Sequence, residues 1–179
     1  MKWIFLRGLA REAEHWGDFP KQFLDSKLAD DVFLIDAPGL GTKYEQSSPV
    51  SISQYVSAMR PEFLTLRRQY SGPWGVLAIS MGAMVAMEWM KRHPQDFFCS
   101  VLINTSASNF STPFDRLSPK TMKKLSKIFV FNEPVKNEKT IFDLTTHMSH
   151  QNENDILKRH VEIAEKRPIS RANFLSQLF

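Results

Sequence analysis

The sequence predicts an α/β fold, a doubly wound and mostly parallel sheet followed by a helical segment. Three observations in the 179-residue chain support this prediction. Apolar runs without alternation, such as Trp74–Ile79 and Phe98–Ile103, are typical of strands buried on both faces of a parallel sheet. Helical patterns separate these runs, as right-handed crossovers between parallel strands require. Beyond Ser106 only helical spacing is found.

The first predicted elements are two strands near the amino terminus. Trp3–Leu6 and Val32–Ile35 are short apolar runs that each end in turn-forming residues, and we expect them to be the first two strands. Apolar residues recur at helical spacing from Ser51 to Tyr70, although Pro61 should kink or interrupt that helix. The next helix is expected over Ala83–Arg92, directly after the run Trp74–Ile79.

The rest of the chain carries helical patterns and no convincing strand. Ser118 is a good N-cap, Asn154 can start another helix, and Ser170 can cap a third. We therefore predict an α/β core over residues 1–106 and a helical lid over residues 107–179.

Composition excludes several classes of protein. With 42% hydrophobic and 23% charged residues, the chain has the profile of a globular protein. No apolar run is long enough to span a bilayer, so no membrane association is expected. The single cysteine, Cys99, cannot form an internal disulfide, which favours a cytoplasmic location.

The net charge of +4 is weak support for a nucleic-acid partner. The densest basic run alternates with apolar residues at helical spacing, which is typical of the exposed face of an amphipathic helix. This run contains Lys120, Lys123, Lys124 and Lys127. Because no nucleic-acid-binding motif accompanies the charge, we expect no nucleic-acid partner.

The stretch from Val76 to Ala83 carries the strongest functional signal. Ser80 stands between an apolar strand and a helix, with Ala78 two residues before it and Gly82 two residues after it. A serine at a sharp strand-to-helix turn presents its hydroxyl at the carboxyl edge of the sheet, and the strained backbone requires small flanking residues. On pattern alone, Ser80 could equally be a helix N-cap. The strand before it and the helix after it favour a nucleophile elbow.

Two loops have the order that such a site requires. Leu6–Leu9 follows the first predicted strand, where an acyl-transfer enzyme must aim a backbone N–H at the developing oxyanion. Leu9, with Gly8 giving the turn, and Met81, which follows the serine, are the predicted oxyanion-hole donors. A second turn begins at Asp36, which we interpret as a turn-former rather than a catalytic acid.

In this order the motifs resemble the amino-terminal two-thirds of an α/β-hydrolase, in the small esterase and carboxylesterase branch of that superfamily. The resemblance covers essentially the whole chain and rests on Leu6–Leu9, His15–Phe19, Asp36–Gly41, Ala78–Gly82 and Val101–Ser106. The segment after Ser106 resembles the family's lid, and Arg167–Ala172 resembles the last helix of that lid. Ala78 stands in place of a glycine, and Arg7 stands where the family often has histidine. We expect Arg7 to point to solvent; the alternative is a positive charge beside the oxyanion loop, which would favour acidic substrates.

The resemblance implies a serine hydrolase that cleaves a small ester or thioester without a cofactor or a metal. Ser80 is the implied nucleophile, and phenylalanines of the lid suggest an apolar substrate moiety. These phenylalanines are Phe110, Phe114, Phe129, Phe131 and Phe142. In the family the acid and the histidine follow later strands, and this sequence ends before them. None of its five histidines is expected to be the base, so we expect an inactive fragment of a longer hydrolase.

Alternatives stay open. The missing acid and histidine also fit a non-catalytic, hydrolase-like module used for binding or assembly. A dinucleotide-binding fold is less well supported, because Gly39-x-Gly41 lacks the third glycine and the following helix. On either of the first two interpretations Phe98–Ile103 becomes an apolar sheet edge, which predicts self-association.

Overall fold

The computed structural model of the chain describes residues 1–105, 134–145 and 153–178. In chain order the strands are β1 (Lys2–Leu6), β2 (Asp31–Leu34), β3 (Trp74–Ile79) and β4 (Cys99–Ile103). The helices are α1 (Phe19–Asp25), α2 (Ile52–Gln69), α3 (Met81–Arg92), α4 (Pro134–Thr145), α5 (Glu153–Lys166) and α6 (Arg171–Leu178). Two short 3-10 helices, Ala13–Trp16 and Gly41–Lys43, lie in the loops after β1 and β2.

The strands form one parallel sheet in the order β2-β1-β3-β4. Ile4 of β1 lies opposite Phe33 of β2 on one side and Val76 of β3 on the other. The chain therefore leaves β1 toward one edge of the sheet and returns to its other side for β3. The point where the direction reverses, at the carboxyl ends of β1 and β3, is where open α/β sheets bind their ligands.

Helices cover both faces of the sheet, which confirms the predicted doubly wound α/β class. On one face Ile4, Leu6, Val76 and Ala78 form a buried cluster with side chains of α2 and α3. On the other face Trp3, Phe5 and Leu77 pack with Trp16 and with Phe23 of α1. The short helix α1 was missed from sequence, because it buries no side chain fully and so shows no apolar stripe.

The expectation that every strand is buried on both faces is wrong for the two outer strands. β1 and β3 are almost completely buried, whereas no residue of β2 or β4 is fully buried. Val101 and Ile103 of β4 are each 41% exposed. The difference follows from position, because β2 and β4 are the edges of the described sheet.

Helix α2 runs without interruption through Pro61, so the predicted interruption does not occur. Ser51 caps it by accepting a hydrogen bond from the Gln54 N–H at 3.4 Å. Met59 and Phe63, on either side of the proline, are 2% and 0% exposed. Their burial against the sheet maintains the helix despite the hydrogen bond that proline cannot donate.

The contacts divide the chain into two units, which are described separately. The first comprises Met1–Thr105 with Ile169–Phe179, and the second comprises Ser106–Pro168. Within the second unit α4 packs against α5, where the ring centroids of Phe142 and His160 lie 6.2 Å apart.

The final helix α6 thus belongs to the same unit as the sheet. The predicted division into a core up to residue 106 and a lid from residue 107 remains a prediction. Several features singled out in the sequence lie outside the described residues. They are the helix at Ser118, the basic run Lys120–Lys127, His147, His150, Phe110, Phe114, Phe129 and Phe131. Of the helices that the structure does describe, none combines the length and apolarity needed to cross a bilayer.

Candidate active site

Ser80 adopts a backbone conformation that residues other than glycine rarely take. Its φ is +55° and its ψ is −121°. The position is fixed from both sides, because the Ser80 N–H donates to the Ile103 carbonyl at 2.9 Å. The Ser80 carbonyl accepts from the N–H groups of Ala83 and Met84 at 2.9 and 3.2 Å. Ser80 occupies the N-cap of α3, but its side chain makes no capping hydrogen bond. The simple N-cap interpretation therefore does not explain this serine.

The small residues on either side of Ser80 have no room for larger side chains. Ala78 is completely buried. A Cβ atom on Gly82 would lie 2.4 Å from the Arg7 carbonyl oxygen and 2.8 Å from that of Leu6. Since these are backbone atoms of β1 and the residue after it, only glycine lets α3 begin so close to β1.

The loop after β1 packs directly against the serine. A Cβ atom on Gly8 would lie 3.0 Å from Ser80 Cβ and 3.5 Å from Ser80 Oγ. The Arg11 N–H donates to the Gly8 carbonyl at 3.2 Å, which closes a turn with Leu9 and Ala10 at its centre. Two of the predicted elements, the glycine turn and the elbow, are therefore adjacent.

The two predicted oxyanion donors, Leu9 and Met81, have backbone N–H groups without a partner in residues 1–105, 134–145 and 153–178. Met81 is the first residue of α3, where N–H groups lack intrahelical acceptors and the helix dipole favours negative charge. Such groups can bind a developing oxyanion.

Asp36 holds two loops together. Its Oδ1 accepts from the Ala13 N–H at 2.8 Å, and its Oδ2 accepts from the Thr42 N–H and Oγ1 at 2.9 and 3.1 Å. A Cβ atom on Gly41, whose φ is +52°, would lie 2.1 Å from Asp36 Oδ2. These contacts agree with the interpretation of Asp36 as a turn-former.

Arg7 does not point to solvent, so that expectation is wrong. Its guanidinium carbon lies 4.8 Å from the ring centroid of Trp16, a cation–π contact, and its Nε is buried without a partner among the described residues. Burial, and then repulsion by Arg11, lowers the pKa of Arg7 to about 10. Arg7 thus stays positively charged at neutral pH. The indole of Trp16, supplied by the 3-10 helix after the turn, covers it.

A small cavity of about 10 Å³ lies behind the elbow, enough for one water molecule. It is lined by Leu6, Arg7, Arg11, Ile35, Ala37, Met59, Met81, Gly82 and Val85. Its size excludes it as a substrate pocket.

None of the histidines in the described part of the chain is hydrogen-bonded to Ser80. His15 Nδ1 accepts from the Glu12 N–H at 3.2 Å. His93 follows α3 at the end opposite Ser80, about 18 Å away for a 12-residue helix. His160 lies in α5 beside Phe142. Among residues 1–105, 134–145 and 153–178, the structure therefore brings together the elbow and the glycine turn, but no histidine hydrogen-bonded to Ser80.

Two residues that the sequence analysis did not single out also contact the loops of this site. Asn173 and Gln177 of α6 are 7% and 9% exposed, and both bind backbone or side-chain groups after β1 and β2. The signal that could have revealed them is a pair of amides spaced i, i+4 beside the buried Phe174.

The sequence matches the model of one protein family, described as serine aminopeptidase S33, over residues 4–165. The chain belongs to this family of α/β-hydrolases. Its membership confirms the predicted superfamily. No protein with a curated function matches the sequence.

Several solved structures share the fold of this chain. The 2-hydroxy-6-oxo-6-phenylhexa-2,4-dienoate hydrolase of Rhodococcus sp. strain RHA1 matches with a TM-score of 0.71 and 18% identity over 99% of this chain and 62% of that one. A structure from a study of carboxylesterases of the thaumarchaeon Nitrososphaera gargenis matches with a TM-score of 0.69 and 13% identity, over 99% of this chain and 62% of that one. The thioesterase of the prodiginine pathway of Streptomyces coelicolor matches with a TM-score of 0.58 and 12% identity, over 98% of this chain and 59% of that one.

The chain therefore spans about three fifths of the length of these solved structures. At these identities the similarity shows the fold alone. The parallel sheet and its helices correspond to part of an α/β-hydrolase fold, as predicted.

Proposed function

We propose that Ser80 is the nucleophile of a serine hydrolase that cleaves a small ester or thioester. The observation that carries the proposal is the backbone of Ser80, held at φ +55° with its hydroxyl unused as a cap and with Gly8 packed against it. A strained, over-determined conformation at the end of a strand is the arrangement that exposes a nucleophilic serine.

In the proposed reaction Ser80 Oγ attacks the carbonyl carbon while a base takes the hydroxyl proton. The carbonyl oxygen becomes an oxyanion, which accepts hydrogen bonds from the backbone N–H groups of Leu9 and Met81. The intermediate collapses to an acyl-serine and releases an alcohol or thiol, which leaves with the proton. Loss of one oxyanion donor in such a site lowers kcat roughly 10²–10³-fold.

The proposed substrate class is supported by the activities named for proteins of similar fold. Two of the structurally similar proteins are described as a carboxylesterase and a thioesterase, whose reactions both proceed through attack on an acyl carbonyl. An apolar substrate moiety remains part of the proposal, although Phe142 is 5% exposed and packs between α4 and α5. A cytoplasmic location agrees with the free thiol of Cys99, whose pKa is raised by burial.

We also propose that the 179-residue chain alone is inactive. Serine is a weak nucleophile until a histidine oriented by a carboxylate accepts its proton. Ser80 Oγ has no hydrogen-bond partner among the described residues, which supports this part of the proposal. The same observation favours the second candidate function, a non-catalytic hydrolase-like module for binding or assembly.

A fluorophosphonate probe tests the proposal. If the reading frame extends beyond Phe179, we expect labelling of the longer polypeptide, and in either case we expect no labelling of the 179-residue chain alone. Ser80→Ala should abolish labelling, whereas Ser100→Ala, an exposed serine on β4, should leave it unchanged. Labelling that survives Ser80→Ala would exclude Ser80 as the nucleophile. A full reading frame that never reacts would favour the binding module.

A further inference from the structure

We propose that Gln177 is a positioning residue for the oxyanion loop, an inference that rests on the proposed function. Gln177 lies on α6, in the segment that shares a unit with the sheet. Its side-chain carboxamide holds the Gly8–Arg11 turn, and through this turn it positions the Leu9 N–H that we assign to the oxyanion.

The contact to the loop is direct. Gln177 Oε1 accepts a hydrogen bond from the Ala10 N–H at 3.0 Å. On its other side, Gln177 Nε2 donates to Ser48 Oγ at 3.0 Å, and Ser48 Oγ donates to the Pro38 carbonyl at 2.9 Å. The carboxamide thus links the turn after β1 to the loop after β2.

A second amide, one helical turn away, fixes the other end of this link. Asn173 Oδ1 accepts from the Ser48 N–H at 2.8 Å, and Asn173 Nδ2 donates to the Gln46 carbonyl at 2.9 Å. Ser48, Asn173 and Gln177 are all less than 10% exposed. Because unpaired polar groups are costly in a buried environment, such a network holds its members in one arrangement.

The turn needs an external support because Ala10 is strained. Its φ is +53°, in the left-handed region that costs residues with a Cβ free energy. The turn is closed by the Arg11 N–H, and the next anchor is Ala13 at Asp36. The Ala10 N–H, which precedes both of these anchors, is bound by Gln177 alone among the described residues. Gln177 is therefore placed to decide the orientation of the Leu9–Ala10 peptide.

The first test measures amide hydrogen exchange of the 179-residue chain by NMR. Gln177→Met keeps the size of the side chain and removes the acceptor, so exchange at Ala10 should become about tenfold faster. Gln177→Glu keeps an acceptor oxygen and should restore much of the protection. Asn173→Ala is the matched control, because it should speed exchange at Ser48 more than at Ala10. Unchanged exchange at Ala10 in Gln177→Met would overturn the proposal.

The second test measures the rate of Ser80 phosphonylation in the form of the protein that reacts with fluorophosphonate. We expect about a tenfold slower rate for Gln177→Met and partial rescue by Gln177→Glu, with little change in the probe concentration at half-saturation. Faster exchange at Ala10 with an unchanged rate would mean that Gln177 only stabilises the fold, and would overturn the proposal. Absence of Ser80 labelling in every form would defeat the proposed function, while the exchange result would still report on the turn.

Discussion

At the scale of single residues, Gly82 links the start of α3 to the end of β1. Its hydrogen atoms face the carbonyl oxygens of Leu6 and Arg7, where a methyl group would lie within 2.8 Å of both. The same approach brings Gly8 against Ser80. The geometry of the candidate site therefore depends on two positions that lack a side chain.

We expect Gly82→Ala to force α3 and β1 apart and to lower the free energy of unfolding by about 1–3 kcal/mol, as overpacking does. Phosphonylation of Ser80 should fall more than tenfold, because the elbow moves. Urea unfolding and probe labelling measure the two effects.

Gly72→Ala is the control for this substitution. Gly72, unlike Gly82, has a positive φ, +109°, and among the described residues only Lys2 Nζ lies near its added methyl group. That variant should lose stability without losing labelling. Full labelling in Gly82→Ala would show that the close approach of α3 to β1 is dispensable.

At the scale of elements, Asp96 joins α2 to α3. Its buried carboxylate accepts hydrogen bonds from Arg60 Nε at 2.7 Å, Arg67 Nη1 at 3.0 Å and Trp89 Nε1 at 2.9 Å. Burial by itself would raise the pKa of Asp96, but the hydrogen bonds from Arg60 and Trp89 and the charges of both arginines outweigh it. The pKa of Asp96 is therefore held below its usual value.

We expect Asp96→Ala to lower the free energy of unfolding by about 3–5 kcal/mol at neutral pH, because the arginines and Trp89 lose their common acceptor. Since the pKa of Asp96 is depressed in the folded state, its stabilisation is present above about pH 4 and is lost as the pH falls through the folded value. Urea unfolding from pH 7 to pH 2 should show the variant approaching the wild type at low pH. Asp25 is exposed at the end of α1, so Asp25→Asn should change the free energy of unfolding little. If Asp96→Ala lowered the free energy of unfolding equally at every pH, an electrostatic origin of the stabilisation by Asp96 would be excluded.

At the scale of the whole molecule, β4 forms an open edge of the described sheet. Its residues Cys99–Ile103 include no charged side chain and no proline, which are the usual protections of an edge strand. Val101 and Ile103 are each 41% exposed, and the preceding Phe98 is 81% exposed.

We propose that the 179-residue chain self-associates by pairing at this edge. Sedimentation velocity should show a concentration-dependent dimer or larger species, and Val101→Lys should shift the population toward monomer. Val50→Lys replaces an exposed valine outside the sheet and should have no such effect. A wild-type chain that stays monomeric at high concentration would contradict the proposal.

Much of the fold was accessible from local pattern. Trp74–Ile79 was predicted with its observed bounds, and Ser170 caps its helix as expected. The uninterrupted helix at Pro61 and the buried guanidinium of Arg7 were not predicted. Both are decided by partners distant in sequence or by packing against the sheet, which no local pattern encodes.

The sequence by itself determined the order of the strands, the parallel sheet and the serine at a strand-to-helix turn, because hydrophobic periodicity and small residues are local properties. Only the tertiary structure decided that Gly8 lies against Ser80. It also decided that Gln177, 167 residues away from Ala10, supports the turn between them. These contacts depend on the reversal of chain direction between β1 and β3 and on the return of α6 to the sheet. Both bring together segments whose separation along the chain leaves no periodic signal.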